Sequence, residues 1–211
     1  MQTLHKALLL KKMYLLQNFG FEYVEPKILQ SLQKSFDFKN LGSLCGAINS
    51  CTLCKHRNSK AHVGIINSNS RLMFVSLFPI LDNENRFTSK GADMLLNIIK
   101  KVLNLEIQEV SITSLIKCEM NMTYSKEGFS NCKDYFLKQL EFSNAQKIVC
   151  LGSEAYGLLC DVGLRYEESQ GRFLKWNGYD LFPTFSISQL LRQPKLKIQA
   201  HKEFLTIKGS L

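Results

Sequence analysis

The sequence predicts an α/β fold of three layers: a central, mostly parallel four-stranded sheet between helices, with an N-terminal helical extension. Three observations carry this expectation. Short strand-like apolar runs alternate with segments whose apolar residues recur at helical spacing, the pattern of a parallel sheet covered on both faces. Asn177-Gly178 separates two strand-like runs and is a strong two-residue hairpin signal. Apolar residues make up 45% of the 211 positions, enough for a proper core, which excludes a disordered or collagen-like chain.

The elements follow in order. Residues 1–40 are rich in Leu, Lys and Gln, with Leu8, Leu9, Met13 and Leu16 at helical spacing and Gly20 and Pro26 as punctuation, so two helices are expected there. Residues 41–60 read as a loop containing three cysteines. The main domain is expected over 41–208. Within it, 71–79 is a buried strand ending at Pro79. Residues 90–103 form an amphipathic helix with Met94, Leu95, Ile98, Ile99 and Val102 on one face. A second strand covers 110–118, a helix 131–142 and a third strand 147–152, which turns at Gly152 into a helix. The hairpin of 172–176 and 179–185 follows, and a closing helix begins near Pro194. Ligands of such sheets bind at the carboxyl ends of the strands, which points to the loops after Val75, Thr113 and Phe185.

Composition narrows the function. No apolar run approaches the ~18 residues of a membrane span. The leading segment, broken by Lys11 and Lys12 and lacking a small-residue cleavage site, reads as an amphipathic helix rather than a signal peptide, so a cytoplasmic protein is expected. The 27 basic and 18 acidic residues give a formal charge of +9, a surplus that attracts polyanions. Seven cysteines without a secretion signal argue against a disulfide framework and leave metal ligation or buried thiols.

Cys51 and Cys54 form a C-x2-C pair in a polar loop, a spacing that lets both thiolates face one metal centre. Cys118 ends a strand and Cys132 opens the next helix, both at element boundaries where ligands could converge. Four thiolates suit zinc or an iron–sulfur cluster, and the absence of a second C-x2-C leans toward the cluster; the alternative is that Cys118 and Cys132 are buried free thiols. Cys150 and Cys160 read as core residues within a strand and a helix, and Cys45 has no special spacing.

The order of these features resembles the family 4 uracil-DNA glycosylases, the iron–sulfur members of the uracil-DNA glycosylase superfamily, over residues 45–205. Cys51 and Cys54 match the N-terminal ligand pair. Residues 112–118 resemble the family strand ITNVVKC, which ends in the third ligand, here Cys118, and Cys132 falls where the fourth is expected. Residues 148–152 resemble IVxLG, while Pro183-Thr184-Phe185, Leu190-Leu191-Arg192 and Pro194 resemble the closing PTYHPAYLLRxP. The resemblance implies a [4Fe-4S] cluster on Cys51, Cys54, Cys118 and Cys132, a four-stranded parallel sheet and a DNA-facing edge, with single- or double-stranded DNA as partner.

The departures from that pattern fall on the chemistry. Ser76-Leu77-Phe78-Pro79-Ile80 stands where the family has GEAPG, so the carboxylate and both glycines are missing. Ser114 replaces the uracil-reading asparagine, Ser186 the histidine of the HP pair and Ile187 its proline; Phe87 matches the aromatic on which an extruded base stacks. Excision needs a donor for the departing uracil anion and a placed acceptor for the attacking water. A serine hydroxyl donates more loosely than imidazole, Ser114 is too short to reach both groups an asparagine reads, and Leu77 orients no water. Asp82, with Glu84 in the same loop, is a candidate carboxylate or a solvated acidic turn, and Ser186 is the other catalytic candidate. Leu77, Phe87 and Ser114 are the candidate base pocket.

Arg192, Lys195, Lys197 and Lys202 form a basic tail suited to phosphates. Gln189-Leu190-Leu191 could wedge into the gap left by an extruded base, or the leucines could cap the sheet. His5, His56, His62 and His201 are the histidines, and none occupies the family's catalytic position; His56 and His62 flank the C-x2-C pair. The expected function is therefore an iron–sulfur DNA-binding protein of DNA repair and base-lesion recognition, with uracil excision lost or altered. The alternatives are an active DNA glycosylase for uracil or another modified base, and a non-catalytic interaction module recruiting a replication or repair partner through residues 1–40.

Overall fold

The computed structural model describes residues 11, 13–15, 17–20, 38–160 and 165–211. The chain divides into two compact units, Met1–Asp37 and Phe38–Leu211. In the first, the described residues form helix up to Asn18 and a turn at Phe19–Gly20. The rest of the extension expected to recruit a partner, His5 included, lies outside the described residues. No helix among the described residues is long and apolar enough to cross a membrane.

The second unit holds one five-stranded sheet. Its strands are β1 (Leu72–Ser76), β2 (Val110–Ser114), β3 (Lys147–Leu151), β4 (Leu174–Trp176) and β5 (Tyr179–Thr184), in the order β2-β1-β3-β5-β4. The four expected parallel strands are β2, β1, β3 and β5; β4 adds a fifth, antiparallel to β5, so the sheet is one strand wider than expected. The hairpin turn is Asn177-Gly178, with φ of 48° and 88°, the double left-handed conformation that this dipeptide tolerates.

Strand alternation sends side chains to two cores. Leu72, Phe74, Ile112, Val149 and Phe182 pack with Leu95, Ile99 and Phe204. Those partners come from α2 (Lys90–Asn97), its π-helical continuation Ile98–Leu103, and α7 (Leu196–Ser210). On the opposite face Met73, Val75, Ile148, Cys150 and Leu181 meet Phe136, Leu140, Ala155 and Leu159. These lie on α3 (Ser125–Ser143) and α4 (Ser153–Leu159). β1 and β2 are buried at every residue, as covered parallel strands must be.

Several boundaries differ from expectation. Residues 41–60 are not all loop: α1 (Leu41–Asn49) is capped by Asn40 and Ser43 and buries Leu44 and Ile48, a helical pair that Gly42 and Gly46 disguise. β2 stops at Ser114, so Cys118 follows the strand instead of ending it. α3 starts six residues earlier than expected and places Cys132 inside the helix. Cys160 caps α4 and is not within it. Two short helices complete the unit, α5 (Tyr166–Ser169) and α6 (Ile187–Arg192).

Candidate functional site

The register aligns the carboxyl ends of four strands in one row: Ser114 beside Ser76, Ser76 beside Leu151, and Leu151 beside Thr184. Loops leaving this row come together at the edge where parallel sheets bind ligands. A strap over residues 57–67 runs antiparallel along β2 and its continuation. Its pairings are Asn58 N–H to Glu119 O (2.7 Å), His62 N–H to Lys117 O (2.7 Å), and a reciprocal pair between Ile65 and Ile112 (2.9 and 2.7 Å). At Gly64 (φ +81°) a Cβ would lie 2.2 Å from Ile112 O, so only glycine permits this approach.

The strap brings the C-x2-C loop to Cys118. Cys54, Cys118 and Cys132 are buried and Cys51 is half-buried. Burial first, then the charges of Cys132, Cys54 and Cys51, push the Cys118 thiol up to about 12. Burial also raises Cys132, opposed by the backbone N–H and ammonium of Lys117, with Cys54 and Cys51 adding to the rise. The four thiols therefore occupy one region. Sulfur also receives N–H donors: Asn131 Nδ2 reaches Cys54 Sγ at 3.6 Å and Lys117 N reaches Cys132 Sγ at 3.5 Å. Among the described residues no group of three or more His, Cys, Asp or Glu side chains is arranged to hold a metal ion. His56 stacks on Tyr124, with centroids 3.8 Å apart and planes 6° from parallel, beside the Cys54 loop.

Lys117 is a site residue that sequence reading passed over. It is 1% exposed. Its Nζ donates to Thr113 Oγ1 (2.8 Å), to the Ser114 carbonyl (2.5 Å) and to Gln139 Oε1. Gln139 in turn donates to Val63 O at 2.7 Å and accepts from Thr113 Oγ1 at 2.6 Å. One ammonium thus joins the end of β2, helix α3 and the strap. Burial draws it down to about 7, with the charge of Cys132 opposing.

At the ends of β1 and β2 the space is small. A cavity of about 10 Å³ lies among His62, Pro79, Ile80, Leu81, Thr113 and Ser114. Ile80, which stands where the family loop ends in glycine, and Leu81 line this cavity. Of the candidate base-pocket residues Ser114 lines this cavity. Leu77 turns into the core with Val75 and Phe136, and Phe87 packs against the opposite core. His62 Nδ1 is buried there without a hydrogen-bond partner. In sequence this histidine reads as a contact to the cysteine pair or a phosphate, or as a polar loop residue; its place at the strand ends depends on pairing with a segment 55 residues away.

The catalytic candidates are committed elsewhere. Ser186 is the N-cap of α6: its Oγ accepts from Gln189 N (3.2 Å), and Gln189 Oε1 accepts from Ser186 N (2.9 Å). Asp82 holds its own turn, accepting from Glu84 N (2.9 Å), Arg86 N (2.8 Å) and Arg86 Nε (2.9 Å). The Arg86 backbone N–H keeps its carboxyl below the usual range, against a desolvation effect, and the Arg86 guanidinium and Glu84 N–H add to the lowering. Along the DNA-facing candidates, Arg192, Lys195 and Lys197 are exposed, Gln189 is taken up in the cap, Leu190 is 2% exposed and Leu191 40%. Leu190 is thus a core residue, and Leu191 presents the apolar side chain outward.

The order of strands and the row of strand ends are those of an α/β protein with a ligand edge at the carboxyl ends of its parallel strands. A family profile described as the Uracil DNA glycosylase superfamily matches residues 63–206, and the chain belongs to that superfamily. Its curated relatives include three proteins named type-4 uracil-DNA glycosylase. The one from Saccharolobus solfataricus is 26% identical over 188 residues, covering 82% of this chain and 87% of that protein. The one from Thermotoga maritima is 30% identical over 153 residues, 69% of this chain and 80% of that protein. The one from Archaeoglobus fulgidus is 27% identical over 121 residues, 54% and 60%.

Proposed function

We propose that the protein is an iron–sulfur, DNA-binding member of the superfamily that recognises base lesions in DNA repair and no longer excises uracil. The observation that carries the reading is the state of the strand-end site. The cavity there is about 10 Å³, room for about one water, whereas a base needs roughly an order of magnitude more. Asp82 and Ser186 also have structural duties that account for their polar atoms. DNA binding is supported by the charge of +9 and by Arg192, Lys195 and Lys197 standing exposed at the edge beside Leu191. Cys51, Cys54, Cys118 and Cys132 would hold a [4Fe-4S] cluster. Four thiols in one region, two with N–H donors to sulfur, are a suitable donor set. The group would supply a structural tie between the C-x2-C loop and α3.

The test is single-turnover base release by anaerobically purified protein of confirmed iron content. Substrates are single- and double-stranded oligonucleotides carrying uracil, hypoxanthine, xanthine or no lesion. Salt-sensitive binding without base release is expected; release of uracil overturns the reading.

One observation favours a second reading, an active glycosylase with another base preference. His62 presents an unpartnered ring nitrogen beside Ser114, a hydrogen-bonding group next to the position where the family's asparagine is missing. It predicts release of a non-uracil base, lost in His62→Ala.

A further inference from the structure

A wide opening in the main unit lies away from the strand ends. α2, its π-helical continuation and α7 leave a groove of about 590 Å³ between them, closed at one end by Leu190 and Leu191 of α6. Its floor is Met94, Ile98, Val102, Ala200 and Phe204. Met94, Ile98 and Val102 recur every four residues, so the apolar strip follows one helix face. From Lys90 to Val102 that face runs about 18 Å at the usual rise per residue. The rim carries Lys90, Lys101, Lys197 and His201, and of the lining residues Asp93 alone is acidic.

The chemistry of the groove selects its occupant. A single strand of nucleic acid binds by stacking bases on exposed aromatic faces. Phe204 is 1% exposed and offers no such face, and the imidazole of His201 is a single ring at the rim, not a row of stacking platforms. The chain's own extension is also a poor match for a basic rim: residues 1–37 carry Lys6, Lys11, Lys12, Lys27 and Lys34 against Glu22, Glu25 and Asp37. An aliphatic floor about three helical turns long, between two helices and edged by cations, fits a third helix with apolar residues at i, i+3 or i+4 and i+7 and carboxylates along its flanks. We propose that this groove docks an acidic amphipathic helix of a partner protein. Lys197 and Leu191 are shared with the edge assigned to DNA, whereas Lys90, Lys101 and His201 belong to the groove alone. The two activities are separable at Lys101 and His201.

The test uses the full-length, iron-loaded chain. A display library of 16-residue peptides is selected on it, and the strongest peptide is labelled for fluorescence polarisation. Enriched sequences are expected to be net negative with apolar residues at helical spacing. Affinity should fall at least tenfold in the exposed-residue variant Lys101→Glu/His201→Glu, and again between 50 and 300 mM salt, while binding of a single-stranded oligonucleotide stays unchanged. Val102→Ser should weaken the peptide without altering the salt response. Four results overturn the proposal: no enrichment, a neutral or basic consensus, peptide binding indifferent to all three substitutions, or displacement of the peptide by a synthetic 1–37 segment. Loss of oligonucleotide affinity in Lys101→Glu/His201→Glu overturns it too, by assigning the groove to nucleic acid.

Discussion

Replacing Lys117 by methionine should destabilise the protein substantially although the chain length at that position is kept. The ammonium is buried and serves three acceptors on two segments: Thr113 Oγ1 and Ser114 O at the end of β2, and Gln139 Oε1 on α3. A hydrogen bond to a charged group contributes about 1.5–3 kcal/mol, and an acceptor left unsatisfied in the interior costs about 1–3 kcal/mol. Against this, methionine spares the desolvation of the ammonium. Thr113 still donates to Gln139, so the Ser114 carbonyl bears most of the loss. The net is about 2–4 kcal/mol, which for a unit of this size lowers Tm by roughly 5–15 °C. Calorimetry of the iron-loaded protein, with Lys117→Met, Gln139→Leu and the double variant, closes a thermodynamic cycle. Because the partners share one network, the double variant should lose less than the two single variants together. A Tm within about 1 °C of wild type in Lys117→Met, or strict additivity in the cycle, would show that the network does not hold the end of β2 in place.

The remaining expectations are more local. Cys118→Ala should abolish iron retention and its visible absorbance and lower Tm, while Cys150→Ala keeps the iron; retained iron and an unchanged melting curve in Cys118→Ala would remove the cysteine from the ligand set. Leu190→Ala should cost about 2–4 kcal/mol by denaturant titration, whereas Leu191→Ala should leave stability within about 0.5 kcal/mol and weaken duplex binding. Gly64→Ala should cost more than about 2 kcal/mol, since a left-handed conformation and a clash with Ile112 O coincide; a melting curve like wild type would mean the strap does not pair as described. The folded-state pKa of Asp82 is below its ordinary 3.8, so its support of the loop is complete above that value and is lost as pH falls through the folded value. Limited proteolysis of the 82–86 loop should therefore accelerate at low pH, and Asp82→Asn should flatten that dependence without changing DNA affinity.

How much of this could be read from the chain depends on how local its cause is. β3 and the Asn177-Gly178 hairpin were legible because apolar runs and adjacent left-handed residues are encoded within a few positions. The start of α3 was not, because the polar stretch around Gly128 looks like a loop until Met120 packs against it. The π-helical end of α2 leaves no composition signal. The four cysteines are named together by the resemblance alone, and what brings the C-x2-C loop to Cys118 is the strap, a pairing of distant segments. Lys117 and His62 share that dependence: each is an ordinary polar residue in sequence and becomes special only once residues 57–67 lie along β2. Leu190 and Leu191, indistinguishable as neighbours, were separated by helix α6, which turns one inward and one out.

The strap has one more effect, on how copies of the molecule behave in a crowd. An outer strand with bare N–H and C=O groups is a template for another chain's strand, and from there for aggregation. β2 is the outer strand on one side, and Ile65 and its neighbours already occupy its free bonds. On the other side β4 is three residues long, with Lys175 in its middle and a charge pair from Lys175 to Asp180. Both margins of the sheet are thus closed to recruitment. The chain can be kept concentrated without the sheets of neighbouring copies joining.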